Sequence, residues 1–204
     1  MARHIIKTEV LRRFIKIPTY FEPSTTDVLK KEISVIRLEI KKGNQFIIAT
    51  NQQIAVAELV GKTDSVDDVC YLKPSKSLRD FLDLQIDADF IVETIPDLAM
   101  ASAVCGIYVD YEPCAWFDNN IMDSWRSWFG TGVKKSVEDP MLWDLFHLTT
   151  LFESSPSGKI VFPAHIDPHK PVVVRDYNKD NWCGVFIPDD KRSIVKEAEK
   201  PEWI

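Results

Sequence analysis

Glycine is scarce in this chain, with seven residues in 204 against six tryptophans and eleven phenylalanines. That poverty argues against a glycine-rich phosphate loop, and neither GxGxxG nor GxSxG occurs. Ser157-Gly158-Lys159 has the look of a phosphate-loop end, but Glu153 stands where the first glycine belongs, and Ile160 replaces the magnesium-binding Ser or Thr. Long apolar runs are also missing. No window approaches the ~18 to 20 residues of a membrane span, and Met1-Ala2-Arg3-His4-Ile5-Ile6-Lys7 holds no signal-peptide core. The four cysteines, Cys70, Cys105, Cys114 and Cys183, show no CxxC spacing, so they read as free thiols in a reducing cytoplasm. Cys70 and Cys105 fall in apolar stretches and suit small core residues. A basic excess is absent too: the formal net charge of −6 excludes a wholly basic nucleic-acid coat. It leaves open a protein whose cations gather on one face.

What is present is a globular balance of 45% hydrophobic and 27% charged residues. The length suits one large domain or two of about 100 residues. Residues 9–16, Glu9-Val10-Leu11-Arg12-Arg13-Phe14-Ile15-Lys16, mix basic and apolar positions and fit either a short helix or a strand, with Pro18 as a stop. From residue 33 the apolar period is two. Ile36, Leu38 and Ile40 alternate with Arg37, Glu39 and Lys41, which predicts a strand with one buried face. Lys42-Gly43-Asn44 turns into a second strand at 46–50, Asn51-Gln52-Gln53 into a third ending at Gly61, and 69–72 makes a fourth. This is an antiparallel meander. A helix over 75–84 follows, with a capping box at Ser77 and Asp80 and with Leu78, Phe81 and Leu82 on its buried face. Strands over 90–95 and 102–111 complete a module spanning 33–112.

The second half opens with a helix capped at Asp118 or Asn119, in which Ile121, Trp125 and Trp128 share helical spacing up to Gly130. Asp139-Pro140 starts another helix over 141–152. Strands over 159–166, 172–176 and 182–187 end the pattern.

The sequence of four strands, a helix and further strands in 33–112, repeated in part as helix and three strands in 140–188, resembles the repeating unit of DNA polymerase sliding clamps. Lys41-Lys42-Gly43-Asn44-Gln45-Phe46-Ile47-Ile48-Ala49-Thr50 resembles a clamp hairpin, and Gly184-Val185-Phe186-Ile187-Pro188 a clamp's proline-ended last strand. The resemblance implies an α+β fold, with antiparallel sheets and helices packed on one face. It implies two clamp-like domains, 1–112 and a truncated 113–204. The length fits the two-domain clamps of phages, archaea and eukaryotes, which close as trimers, better than the three-domain bacterial type. The implied function is non-enzymatic: a processivity factor or replication accessory in the cytoplasm, without cofactor. Its partners would be double-stranded DNA, held through its backbone without sequence preference, and a DNA polymerase or other replication proteins. The alternative is a clamp-fold interaction or regulatory protein that does not encircle DNA. Two departures from the family pattern stand out. No four-strand meander fits between Pro113 and Pro140, and the helix over 141–152 holds no Lys or Arg where an inner helix should be basic.

Candidate sites follow from charge and position. Arg12, Arg13, Lys16, Lys73, Lys76 and Arg79 form a basic set. Lys76 and Arg79, three apart on a helix, can reach phosphates without reading bases, or can be an ordinary solvated face. Trp116 and Phe117, in the connector, with Ile187 and Pro188 at the last strand's end, are the candidate partner-binding residues. The rival reading of the two aromatics is a plug between the halves. His165-Ile166-Asp167-Pro168-His169 is the densest metal-like cluster, but two histidines and an aspartate leave a zinc tetrahedron short of a ligand. It reads as a surface turn, and no metal is expected. Pairing of a cysteine with His147 as a nucleophile carries no signature.

Overall fold

The computed structural model describes residues 2–18, 35–51, 54–84, 86–95, 98–102, 111–112, 125–129, 145–163 and 171–186. Strands and helices run in the order β1 (Ala2–Lys7), α1 (Thr8–Phe14), β2 (Ile36–Lys41), β3 (Asn44–Thr50), β4 (Ile54–Lys62), β5 (Asp68–Leu72) and α2 (Lys76–Asp83). They continue with β6 (Asp89–Ile95), β7 (Leu98–Ser102), β8 (Tyr111–Glu112), α3 (Trp125–Trp128), α4 (Leu145–Ser154), β9 (Ile160–Val161), β10 (Val172–Asp176) and β11 (Trp182–Phe186). No described helix is long and apolar enough to cross a membrane.

The β2–β3 hairpin forms because Lys42 and Gly43 both take positive φ, 52° and 73°, as a type I′ turn requires. The Lys42 N–H donates to Asp67 Oδ1 at 2.8 Å, which relieves the non-glycine residue in that region. Strands β2, β3 and β4 pair in series as expected, but β5, the expected fourth strand of the meander, returns to pair with β2 and leaves the far edge of β4 to β11. An eight-stranded sheet therefore runs β8-β5-β2-β3-β4-β11-β10-β9. Five strands of the first part of the chain meet three of the last where β4 and β11 pair antiparallel, from Glu58 opposite Trp182 to Ile54 opposite Phe186. A three-stranded sheet, β1-β6-β7, stands apart. The strand pattern of 2–7 is not part of the sequence expectation. The outer edge of β1 is closed by side chains: Gln45 accepts from the Ile5 N–H at 3.0 Å and donates to the Ile5 carbonyl at 2.6 Å, and the Ser65 hydroxyl donates to the Arg3 carbonyl at 3.3 Å. A paired edge cannot recruit another strand there.

Alternation sorts the large sheet into two faces. Ile36, Leu38, Ile47, Ala49, Ile54, Val56, Cys70, Leu72, Val172, Val174, Trp182 and Phe186 share one core with Val10, Leu11 and Phe14 of α1, Leu78 and Leu82 of α2, and Leu151 of α4. Three helices therefore cover one face. The opposite face carries Val35, Ile48, Ala57 and Tyr71 around Trp125.

Several expectations need correction. Of the two alternatives open for 9–16 the helix is the one formed, over Thr8–Phe14, because Val10, Leu11 and Phe14 all bury toward the sheets. The cap of α2 is Ser75, whose hydroxyl accepts from Leu78 N–H at 3.2 Å, so the box at Ser77 and Asp80 is not the start signal. Leu78 and Leu82 are buried as expected, whereas Phe81 is only half-buried, its ring 6.4 Å from that of Phe90. Truncating it therefore forfeits less than the about 3–5 kcal/mol of a fully enclosed phenylalanine. The expected solvent face of β2 is buried too, with Arg37 at 5% and Glu39 at 3% exposure. Of the strand expected over 102–111, Ser102 is described at the end of β7 and Tyr111 at the start of β8, which pairs with β5, and residues 103–110 lie outside the described residues. Of the helix expected to end at Gly130, Trp125–Trp128 is described, and the helix expected over 141–152 is described as Leu145–Ser154.

Candidate nucleic-acid interface

Helix α1 buries Val10, Leu11 and Phe14, which leaves Arg12, Arg13 and Lys16 along its flanks. Thr8 fixes where it starts. Its N–H donates to the Ala88 carbonyl at 3.0 Å, its hydroxyl donates to the Ile86 carbonyl at 2.6 Å, and it accepts from the Ala88 N–H at 3.1 Å. Arg12 then reaches across to α2, donating from Nε to the Leu82 carbonyl at 3.0 Å and from Nη2 to the Ile86 carbonyl at 2.6 Å. These are neutral acceptors at a helix C-terminus, so they hold the guanidinium in place without cancelling its charge.

Arg13 points the other way. Nη1 donates to Glu58 Oε2 at 2.9 Å and Nη2 to Glu58 Oε1 at 3.2 Å, a bidentate pair. Nη1 also donates to the Ser154 carbonyl at 2.8 Å, at the end of α4. The two side chains are 13% and 6% exposed. Burial pushes the Glu58 carboxyl above its ordinary value, and the adjacent Arg13 guanidinium opposes that push without cancelling it. Lys16 lies 2.9 Å from Glu153 in an open ion pair.

On α2, Arg79 donates from Nε to the Pro74 carbonyl at 3.2 Å, Lys76 is exposed, and Lys73 is half-buried in the approach to the helix. Arg12, Arg13, Lys16 and Arg79 come together with Ile15, Leu82 and Asp83 around a cleft of about 360 Å³ between α1 and α2. Lys73 and Lys76 are not among its walls. Glu58 and Glu153 already pair with Arg13 and Lys16, so Arg12 and Arg79, held by neutral carbonyls, are the cations left to draw a polyanion past Asp83, and the cleft's geometry offers no base-reading element. Helix α4, beside α1, holds no Lys or Arg, and among its described side chains Phe146, Thr149, Phe152 and Glu153 are exposed.

The opposite face of the sheet holds a polar node that sequence reasoning missed. Glu39 accepts from Arg37 Nε at 3.1 Å and from Trp125 Nε1 at 3.0 Å, and its other oxygen lies 2.7 Å from Arg126 Nη2. Arg37 also donates to the Tyr71 hydroxyl at 2.8 Å. Burial raises the Glu39 carboxyl, but Arg126, Trp125 and Arg37 outweigh it and hold the group below its ordinary value. The available signal was Arg37 and Glu39 two apart on one strand face, opposite charges that need a cover.

The expected partner-binding residues Trp116, Phe117, Ile187 and Pro188 lie outside the described residues, as do His165 and His169. Among the described residues no group of three or more His, Cys, Asp or Glu side chains could hold a metal ion. Burial pushes the Cys183 thiol up to about 11, the opposite of nucleophile activation.

No family model and no curated protein sequence matches the chain. Solved structures do. Against the DNA polymerase sliding clamp of Pseudomonas aeruginosa, 92% of this chain aligns with 66% of that one at TM-score 0.64 and 11% identity. Against the DNA polymerase III beta subunit of Thermotoga maritima, 97% aligns with 68% at TM-score 0.58 and 12% identity. The beta subunit of Streptococcus pyogenes gives 93% and 66% at TM-score 0.55 and 11% identity. The architecture is thus the sliding-clamp fold, an α+β arrangement of antiparallel sheets with α1, α2 and α4 packed on one face. The chain spans about two thirds of the length of those clamps.

Proposed function

We propose that this chain is a non-enzymatic, sliding-clamp-like accessory factor of DNA replication, a platform that touches duplex DNA with its helix layer. The observation that carries the reading is the coincidence of a sliding-clamp fold with a cationic cleft between α1 and α2, on the helix-covered side of the sheet. Arg12, Lys16, Lys73, Lys76 and Arg79 contact phosphates, while Arg13 supports that surface from inside, engaged by Glu58. Contacts of this kind release counterions, so binding is independent of sequence and falls steeply with salt. Two clamp-like domains, 1–112 and 113–204, meet where β4 pairs with β11. A polymerase or other replication protein docks on Trp116, Phe117, Ile187 and Pro188, and the closed form is a homotrimer in the cytoplasm.

The test is retention on circular against linear duplex in low salt, with solution mass measured in parallel. Charge reversal at Lys76 and Arg79 together should weaken retention. Protein that neither stays on circular DNA nor supports polymerase processivity, at low salt and high concentration, lacks the clamp function despite the fold. One observation favours a second reading, a clamp-fold regulatory protein that does not encircle DNA. Exposed Phe146 and Phe152 with Glu153 on α4 give part of the helix layer an apolar and acidic surface. A monomer by solution mass would support that reading.

A further inference from the structure

We propose that Glu153 gates the DNA-facing surface: its carboxylate occupies Lys16 in the free protein and yields it to a phosphate when duplex binds. The inference rests on the DNA-contact reading above. Lys16 is a wall of the cationic cleft, and Glu153 meets it at 2.9 Å from the last turn of α4. The two side chains are 54% and 49% exposed. An ion pair this open contributes little to the fold and is screened by salt, so its cation can exchange partners.

The neighbouring pair behaves differently. Arg13 and Glu58 are buried, doubly hydrogen-bonded and tied to the Ser154 carbonyl, so that cation cannot leave without stranding a carboxylate. Two adjacent residue pairs thus link α1 to the rest of the protein, one permanently and one exchangeably. Glu153 is 2.9 Å from the Lys16 ammonium, so a phosphate that reaches Lys16 also meets Glu153. Its negative charge opposes the incoming group until Lys16 turns away from it.

The test is Glu153→Gln, Lys16→Ala and the double variant, titrated with a short fluorescent duplex of arbitrary sequence over a range of salt. Glu153→Gln should bind about fivefold tighter at low salt, the scale of one open ion pair. Lys16→Ala should flatten the slope of log affinity against log salt by about 0.9, since the phosphate that Lys16 takes over in the wild type is no longer neutralised. In the Lys16→Ala background Glu153→Gln should do almost nothing, because the gated cation is gone. Unaltered affinity in Glu153→Gln overturns the gate, and so does equal tightening in both backgrounds, which would make Glu153 one unit of bulk charge. Wild-type protein that ignores duplex even at low salt removes the DNA-contact reading itself. Wild-type binding with a silent Glu153→Gln removes only the gate.

Discussion

Replacing Arg13 with alanine should separate the cations that build this protein from those that face outward. The side chain donates two hydrogen bonds to Glu58 and one to the Ser154 carbonyl, with 13% of it exposed and 6% of its partner. Alanine leaves a carboxylate enclosed with no counter-charge, and breaking a buried pair in that way costs about 3–5 kcal/mol. Glu58 already holds its proton more tightly than an ordinary glutamate because burial dominates, so protonation relieves part of the loss. The expected deficit therefore lies toward about 3 kcal/mol at neutral pH. The sign of the pH dependence follows. A carboxyl whose folded-state pKa is raised contributes stability that is present below its unfolded value and lost as pH rises through the folded value. Without Arg13 that pKa rises further, so the deficit of Arg13→Ala should be smaller at about pH 5 than at about pH 8. Urea unfolding measures it as a lower midpoint at unchanged slope. The double change Arg13→Met with Glu58→Leu should recover most of the stability, because apolar replacement of a buried pair is often neutral. An Arg13→Ala protein with wild-type stability and weakened DNA retention would refute the reasoning, since Arg13 would then be a phosphate contact.

Gly184 lets α4 approach the sheet: a Cβ there would stand 2.6 Å from Leu151 Cδ1, 2.9 Å from Trp182 Cη2 and 3.2 Å from Val174 Cγ2. Gly184→Ala should cost about 1–3 kcal/mol of overpacking, visible as a lower denaturation midpoint. Asp176 closes the α4–β9 turn, accepting from the hydroxyls of Ser155 and Ser157 and the N–H groups of Ser157 and Asn178. Burial opposes its ionisation, yet those donors bring it down to about 2 from 3.8. Its contribution is present above the ordinary value and is lost as pH falls through the folded one. Asp176→Asn should lose about 1–3 kcal/mol at neutral pH and show a flatter acid limb in a stability–pH profile. Glu39→Gln should cost about 2–4 kcal/mol, since Arg37 and Arg126 would share a neutral acceptor in place of a charge. Hydrogen exchange should then quicken first at residues 125–129, the segment Glu39 holds to the sheet; uniform quickening would contradict that assignment.

The return of β5 to the β2 edge was not legible in the sequence, whereas the antiparallel run β2–β3–β4, its turn at Lys42 and Gly43, and the buried stripe of Leu78 and Leu82 were. Each depends on neighbours a few residues away, where alternation, turn chemistry and helical spacing act directly. The basic set was legible only as composition. Sequence placed Arg12 and Arg13 side by side as equivalent cations. Tertiary structure turned one toward carbonyls at the end of α2 and the other into a buried pair 45 residues away in β4, with a carbonyl 141 residues away in α4. Adjacent helical positions point about 100° apart, and what each meets is decided by packing. The burial of Arg37 and Glu39 has the same origin. Alternation assigned them to the second face of β2, which reads as solvent until Trp125 and Arg126 return from the other half of the chain to cover it. The sequence by itself determined which side chains share a face; only the tertiary structure decided whether that face meets water, a carboxylate or another helix, because those partners come from distant segments brought together by the shared core.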